Sequence, residues 1–156
     1  MNVNLSKDKV ESVYPLLSNY LNHEYKNETI TLEEIQLDLN PDTDTSPGSA
    51  RGVFSVDSTH IPDDGVFHIS SITADICMQQ FGVIFGHMYQ DLLTKTKEVY
   101  LIETQMTYKR PIRGKTLTIE TEFTEIREGK RMIVFSANVV CNKNAFLGYY
   151  KWAIRK

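Results

Sequence analysis

The sequence predicts an α+β fold in which a curved antiparallel sheet wraps one long, buried helix. Two observations predict it. The stretch 70–89 is apolar on nearly every side of a helix, and runs of alternating apolar and polar residues lie before and after it. A surface helix shows one apolar face, so this helix needs cover on most sides. A sheet that curves around it gives such cover.

The totals predict one ordinary domain, 1–156. The 156 residues are 41% hydrophobic and 24% charged, which is typical of a globular chain that buries its own core. The net charge of -3 gives no overall attraction to nucleic acid. Cys77 and Cys141 lack the spacing of metal ligands, so we interpret them as buried thiols in a reducing compartment. Polar residues at the N-terminus and within the central stretch predict neither a signal peptide nor a membrane span, and the cytoplasm is the expected location.

The chain before the central helix is predicted as a helical segment and two strands. Residues 1–22 repeat apolar side chains at helical spacing, which is typical of a helix that covers one side of a sheet. Pro15 interrupts this segment, which predicts two short helices rather than one. Residues 30–39 and 50–57 alternate instead, so they predict the first strands, 30–57, joined as a hairpin by a long turn-rich loop.

The central helix is predicted over 70–93, with Ser70 or Ser71 as its N-cap. Gly82 and Gly86 lie one turn apart. Because glycine lowers helix stability by about 1 kcal/mol relative to alanine, the pair predicts that another backbone packs closely there. Asp75 and Gln79 are also one turn apart and share a face. A carboxylate in so apolar a helix is either paired or functional.

After the helix, four alternating runs predict strands at 99–108, 116–126, 132–140 and 146–154. Polar turns at 128–130 and 142–144 separate the last three runs. We therefore expect an antiparallel meander over 99–155.

The loop 58–69, which leads into the central helix, contains His60, Pro62, Gly65 and His68. A helix N-terminus offers partial positive charge and free N–H donors, so this loop and the helix end suit an anion or a polarised carbonyl.

This order of elements resembles the hotdog fold, and the resemblance covers about 30–154. Three stretches carry it: His60-x-Pro62 followed by Gly65, the pair Asp75-x-x-x-Gln79 on the helix, and the segment 108–120, which is similar to a strand start common in hotdog enzymes of acyl thioesters. The pattern is most similar to β-hydroxyacyl thioester dehydratases. That resemblance implies a catalytic His60, an acidic Asp75 and an orienting Gln79.

A second branch of the same superfamily, the long-chain acyl-CoA thioesterases of the FcoT type, is similar at 52–54, 60–61, 68–70 and 77–80. Its active-site tyrosine and asparagine fall on His60 and Gln79. Both reactions need similar equipment: a base, for which histidine is suited near neutral pH, an acid, and donors to the thioester oxygen. Backbone N–H groups at Gly65 and Val66, with His68, are the predicted donors. Since both a histidine and a carboxylate are kept, dehydration is favoured over hydrolysis. A non-catalytic protein that binds acyl chains is the third alternative.

A basic cluster is predicted to dock the carrier of the substrate, either coenzyme A or an acidic acyl carrier protein. Its members lie in one short segment: Lys109, Arg110, Arg113 and Lys115. A solvated turn is the plainer interpretation of the same residues. We expect no metal and no cofactor beyond the carrier itself. The resemblance also implies a homodimer or higher oligomer, with each site built at the interface between subunits.

Overall fold

The computed structural model describes residues 2–5, 10–16, 28–39, 47–58 and 65–156. Within these ranges the strands are β1 (Asn2–Leu5), β2 (Glu28–Leu39), β3 (Gly48–Ser58), β4 (His68–Ile69), β5 (Val99–Tyr108), β6 (Ile112–Arg113), β7 (Thr116–Glu128), β8 (Met132–Cys141) and β9 (Phe146–Arg155). The α-helix is α1 (Ser71–Met88), and a 3-10 helix spans Val10–Leu16. Seven of these described strands form one antiparallel sheet, ordered β1-β2-β3-β7-β8-β9-β5, while β4 pairs with β6.

The sheet wraps α1, as predicted, and the architecture is the hotdog fold. Ser70 is the N-cap: its side-chain oxygen accepts a hydrogen bond from the backbone N–H of Thr73 at 3.0 Å. Most residues of α1 are buried. Phe85 lies at the centre of the core. The centroid of its ring is 4.0 Å from that of Phe123 and 4.7 Å from that of Phe135. Aromatic contacts between the helix and the inner face of the sheet thus hold the two layers together.

The two helix glycines contact side chains and not a second backbone. The prediction that another backbone packs closely there was therefore wrong. A Cβ atom at Gly82 would lie 2.5 Å from the indole nitrogen of Trp152, and one at Gly86 would lie 3.3 Å from the ring of Phe135. Trp152 and Phe135 stack with ring centroids 5.4 Å apart. The glycines therefore leave room for large aromatic side chains of β8 and β9.

The N-terminal segment is not one amphipathic α-helix. Its first residues form β1, whose backbone pairs with β2 at the outer edge of the sheet. The 3-10 helix follows, with Val10, Val13 and Leu16 buried. Their spacing of three residues matches the period of a 3-10 helix, and Pro15 inside it disfavours a regular α-helix. The rest of the predicted segment, residues 1, 6–9 and 17–22, lies outside the described residues.

The strand prediction is accurate in extent and wrong in one neighbour. The hairpin of β2 and β3 is confirmed, and β7, β8 and β9 form the expected meander. However, β5 pairs with β9 instead of β7 and forms the far edge of the sheet. The connection between β5 and β7 contains Pro111, which has no N–H to donate, and Gly114 at a φ of 87°. It is therefore no tight hairpin, and it runs past the helix, where β6 pairs with β4.

The C-terminal end of α1 is fixed by a buried histidine. One ring nitrogen of His87, Nδ1, donates to the carbonyl oxygen of Val83 at 2.9 Å, and the other, Nε2, accepts the backbone N–H of Lys97 at 3.3 Å. His87 is thus a buried, packed residue. No helix in the described ranges has the length and apolar character needed to cross a membrane. The cytoplasmic location stays a prediction.

Candidate active site

Asp75 lies in the second turn of α1, with both carboxylate oxygens bound. The side-chain amide of Gln79 donates to Oδ2 at 2.7 Å. The pair that was predicted from its spacing of four residues is therefore in direct contact. The Tyr150 hydroxyl donates to Oδ1 at 2.6 Å. A carboxylate held from two directions has a fixed orientation, which acid–base chemistry requires.

Tyr150 is the site residue that the sequence did not identify. It lies on the inner face of β9, fully buried, and its ring stacks on that of Trp152 at 5.2 Å. The alternation of the last strand cannot show that one of its rings ends in a hydroxyl beside a carboxylate. Burial raises the pKa of Tyr150 well above its usual value, and the hydrogen bond to Asp75 raises it further. Tyr150 therefore remains a hydrogen-bond donor.

An open cleft of about 370 Å³ lies against Asp75, and we call it the Asp75 cleft. Two elements line it: the start of α1 and the second half of β5. The residues are Ser71, Ile72, Asp75, Thr104, Met106 and Tyr108. Its walls carry both apolar and hydroxyl groups, which is the usual character of a small-molecule site. The partial positive charge of the helix N-terminus also borders the cleft.

Tyr108 lines the cleft, and the charge of Asp75 affects its pKa. About half of the Tyr108 surface is exposed to solvent. Partial burial raises the pKa of Tyr108, and the negative charge of Asp75 raises it further. Tyr108 is therefore a neutral hydroxyl at ordinary pH and can donate a hydrogen bond to a ligand in the cleft.

The remaining predicted catalytic and thioester-binding residues are not brought to this cleft in a single chain. His60 lies outside the described residues. Gly65 is exposed at a φ of 70°, and Val66 is exposed as well. His68 is exposed, with its Nδ1 3.4 Å from the carbonyl oxygen of Val66. None of these last three lines the Asp75 cleft, so their role as thioester donors stays a prediction.

The predicted basic cluster divides into two parts. Arg110 and Arg113 line a second cleft of about 630 Å³, whereas Lys109 and Lys115 do not. The ammonium of Lys115 pairs with Asp57. Arg110 donates from Nη2 to the carbonyl oxygens of Asn142 and Lys143, at 3.1 and 3.0 Å. The four residues therefore do not act as one surface, and carrier docking by them stays a prediction.

Solved structures share this fold at low sequence identity. A sigma28-regulated virulence protein from Campylobacter jejuni matches with a TM-score of 0.51 and 12% identity, over 90% of this chain and 93% of that chain. The PaaI protein from the phenylacetic acid degradation operon of E. coli matches with a TM-score of 0.48 and 9% identity, over 94% of both chains. A hypothetical thioesterase protein with coenzyme A from Streptococcus pneumoniae matches with a TM-score of 0.45 and 10% identity, over 77% of this chain and 84% of that chain.

No protein-family model matches the sequence, and no curated protein matches it either. Similarity at this level of identity shows the fold alone. The reaction has to be argued from the side chains of the Asp75 cleft.

Proposed function

We propose that this chain is an enzyme that hydrolyses an acyl thioester, with Asp75 as the base that activates water. The observation that carries the proposal is the Asp75 carboxylate itself. Gln79 and Tyr150 bind its two oxygens, and it lines a cleft open to solvent. A carboxylate that is partly buried, oriented and still accessible is typical of an active site.

The proposed reaction uses the groups around the cleft in successive steps. A carboxylate has about four lone-pair positions, so Asp75 can accept a proton from water while keeping its two present donors. The water oxygen then attacks the thioester carbon, and the carbonyl oxygen becomes negative. The positive end of α1, at Ser71 and Ile72, lies beside the cleft and would stabilise that charge. When the C–S bond breaks, the sulfur leaves as a thiol with the proton from Asp75, and the acyl group leaves as a free acid.

We further propose that two copies assemble through β5. This strand is an edge of the sheet, is ten residues long and is exposed along nearly all of its length. Tyr100, Leu101 and Ile102 are exposed apolar side chains on it. A long apolar edge strand is normally covered by another chain or element. Since β5 also forms one wall of the Asp75 cleft, a second copy on this edge would enclose the substrate. Gly65, Val66 and His68 of that copy would then be candidates for the thioester donors.

Dehydration of a 3-hydroxyacyl thioester is the second candidate. The contact between Asp75 and Gln79 favours it, because that pair is the part of the resemblance that implied an acid and an orienting amide. Dehydration also needs a base for the C2 proton, and the implied base is His60. The described residues support hydrolysis more directly, because water activation needs only the carboxylate that the cleft contains.

The first experiment is mass spectrometry of the purified chain incubated with a saturated acyl-CoA and, separately, with a 3-hydroxyacyl thioester. Hydrolysis predicts free acid from the first substrate, and the rate should fall about 100-fold or more in Asp75→Asn, the size of effect expected for a general base. Loss of water from the second substrate, abolished in His60→Ala and Asp75→Asn, would replace hydrolysis by dehydration. No turnover of either substrate, with an acyl chain still bound, would indicate a binding protein.

A matched control distinguishes the loss of the catalytic base from a general effect on the structure. Asp91→Asn makes the same chemical change at an exposed carboxylate just beyond the other end of α1. This control should keep the full rate of hydrolysis. An equal loss in both variants would mean that the effect is structural, and the role of Asp75 as a base would be rejected.

A further inference from the structure

A second cleft of about 630 Å³ lies on the outer face of the sheet, and we call it the cationic cleft. Its floor includes Arg51 of β3 and Thr118 of β7. These two residues alternate along their strands with buried residues that face α1. One wall comes from the connection between β5 and β7, and another from the turn between β8 and β9. Four cationic side chains line it, Arg51, Arg110, Arg113 and Lys143, against one carboxylate, Glu120.

Two of these cations are free to bind an anion. Arg113 and Lys143 are exposed and form no ion pair with any carboxylate in the described part of the chain. Arg51 is already bound to Glu34, at 2.7 Å. Arg110 uses Nη2 on two backbone carbonyls, at 3.1 and 3.0 Å, but a guanidinium has further N–H donors on its other two nitrogens. The cleft therefore offers two ammonium or guanidinium groups and part of a third.

The wall that carries Lys143 is rigid. Asn142, Lys143 and Asn144 all have positive φ angles, of 42°, 54° and 65°. The side chain of Asn142 holds this turn: its Oδ1 accepts from the backbone N–H of Thr118 at 2.8 Å, and its Nδ2 donates to the carbonyl oxygen of Thr116 at 2.9 Å. Donors on a fixed frame bind a ligand with a smaller loss of conformational entropy.

The same frame joins the cationic cleft to the Asp75 cleft. The backbone N–H of Lys109 donates to the carbonyl oxygen of Ala145 at 2.9 Å, which ties the two walls together. Tyr108 lines the Asp75 cleft, and Arg110, two residues later, lines the cationic cleft. Two residues of chain span at most about 7 Å. The two clefts are therefore adjacent along this segment, as a ligand that extends from one to the other would require.

We propose that the cationic cleft binds the phosphates of a nucleotide, and that the thioester carrier is coenzyme A, held there by its adenosine 3′,5′-bisphosphate part. The inference rests on the proposed hydrolysis only in naming the carrier. Arginine and lysine are the side chains that suit phosphate. The cleft is concave and within the usual volume range of small-molecule sites, about 300–1,000 Å³. An acidic carrier protein would instead need a broad basic surface, whereas the cations that line this concave cleft do not include Lys109 and Lys115.

The first test measures binding without any reaction. Adenosine 3′,5′-bisphosphate is titrated calorimetrically into the whole chain. We expect saturable binding that weakens as salt is raised, because the contacts are between exposed charges. Arg113→Ala and Lys143→Asn should each weaken it about tenfold. Asparagine is chosen at 143 because it tolerates a positive φ. Lys115→Ala should weaken binding less than Arg113→Ala does, since the Lys115 ammonium is already paired.

The control for these variants is Lys130→Ala, which removes an exposed cation from the turn between β7 and β8. It should bind the bisphosphate as the parent chain does. Inorganic phosphate and adenosine 5′-monophosphate are titrated alongside. Equal affinity for inorganic phosphate would overturn the nucleotide site in favour of a simple anion site. No binding of the bisphosphate, or equal weakening in Lys130→Ala, would also overturn it.

The second test concerns the carrier. The rate constant kcat/KM is measured for an acyl-CoA and for the same acyl group on N-acetylcysteamine, a short thiol without phosphates. In Arg113→Ala the ratio of the two values should fall about tenfold, through the KM for acyl-CoA. An unchanged ratio would reject coenzyme A as the ligand of this cleft. If neither thioester is hydrolysed, the proposed reaction fails, while the calorimetric result still decides whether the nucleotide site exists.

Discussion

At the scale of single residues, the feature with most chemical content is the pair of donors on Asp75. Gln79 comes from the same helix and Tyr150 from the last strand, so the orientation of the carboxylate depends on how helix and sheet are packed. Because Tyr150 is buried and neutral, it adds a hydrogen bond without adding a charge. We regard Tyr150 as a positioning residue, which acts on the substrate through Asp75.

The Tyr150→Phe variant tests this role. It keeps the ring that stacks on Trp152 and removes the donor to Asp75. We expect kcat for hydrolysis to fall about tenfold with little change in KM, since substrate contacts are kept, and the free energy of unfolding to fall by about 1 kcal/mol. Steady-state kinetics and thermal unfolding check both. Tyr149→Phe, on the outward face of the same strand, is the matched control. A rise in KM at constant kcat would contradict the positioning role.

The limits of the sequence at this scale have a physical origin. The contact between Asp75 and Gln79 could be predicted because two residues four apart always share a helix face. Tyr150 could not, because it is 75 positions away in the chain, and its neighbour is determined by the pairing of strands and the curvature of the sheet. The same holds for Arg51 and Lys143. They are distant in sequence from the predicted basic cluster and join two of its members only in the folded chain.

At the scale of elements, the helix and the sheet are fitted to one another at the glycines of α1. Gly82 faces the indole of Trp152, and Gly86 faces the ring of Phe135 at a larger distance.

Local sequence patterns predicted the positions of the elements well. The bounds of β5 were predicted without error, because alternation is a local signal. The neighbour of β5 was predicted wrongly, because the pairing of strands distant in sequence leaves no local signal. The 3-10 helix was missed because its period of three was taken for a period of 3.6.

The two glycines give a prediction with an internal control. Gly82→Ala places a methyl group 2.5 Å from the Trp152 indole, and overpacking of this kind lowers stability by about 1–3 kcal/mol. Gly86→Ala has contacts of 3.3 Å and longer to side chains, and the gain in helix propensity, about 1 kcal/mol, offsets them. Urea unfolding should show a clear loss for the first variant and a change near zero for the second. Equal losses would mean that glycine at 82 is not required by Trp152.

At the scale of the whole molecule, the main feature is that the Asp75 cleft and the exposed apolar edge share β5. A substrate bound in one chain would be covered only by the start of α1 and by β5. The proposed second copy, related by a two-fold axis, would place β5 against β5 and enclose the cleft from the other side. Catalysis and assembly would then depend on the same strand.

Light scattering of the purified chain at micromolar concentration tests this arrangement. The parent should have the mass of two chains, and Ile102→Lys, which puts a charge on the exposed edge, should shift it toward one. Thioester hydrolysis should decline together with the mass. Leu93→Lys is the control, because Leu93 is equally exposed but lies in the connection after α1. A parent that has the mass of a single chain would reject the proposal.

The unequal edges of the sheet also determine how far such an assembly can grow. One edge is β5, with ten residues, and the other is β1, with four. If two copies join through β5, both β5 edges are consumed and the opposite borders face outward. There β1 covers the end of β2, and the 3-10 helix contacts β2 beyond it, through the Tyr14 hydroxyl that donates to the carbonyl oxygen of Leu32 at 3.2 Å. A short and partly covered edge offers few hydrogen bonds to a further chain, so we expect growth by strand addition to end at two. The edge at β5 would thus promote pairing of two chains, while the opposite edge at β1 would disfavour the addition of further chains into a filament.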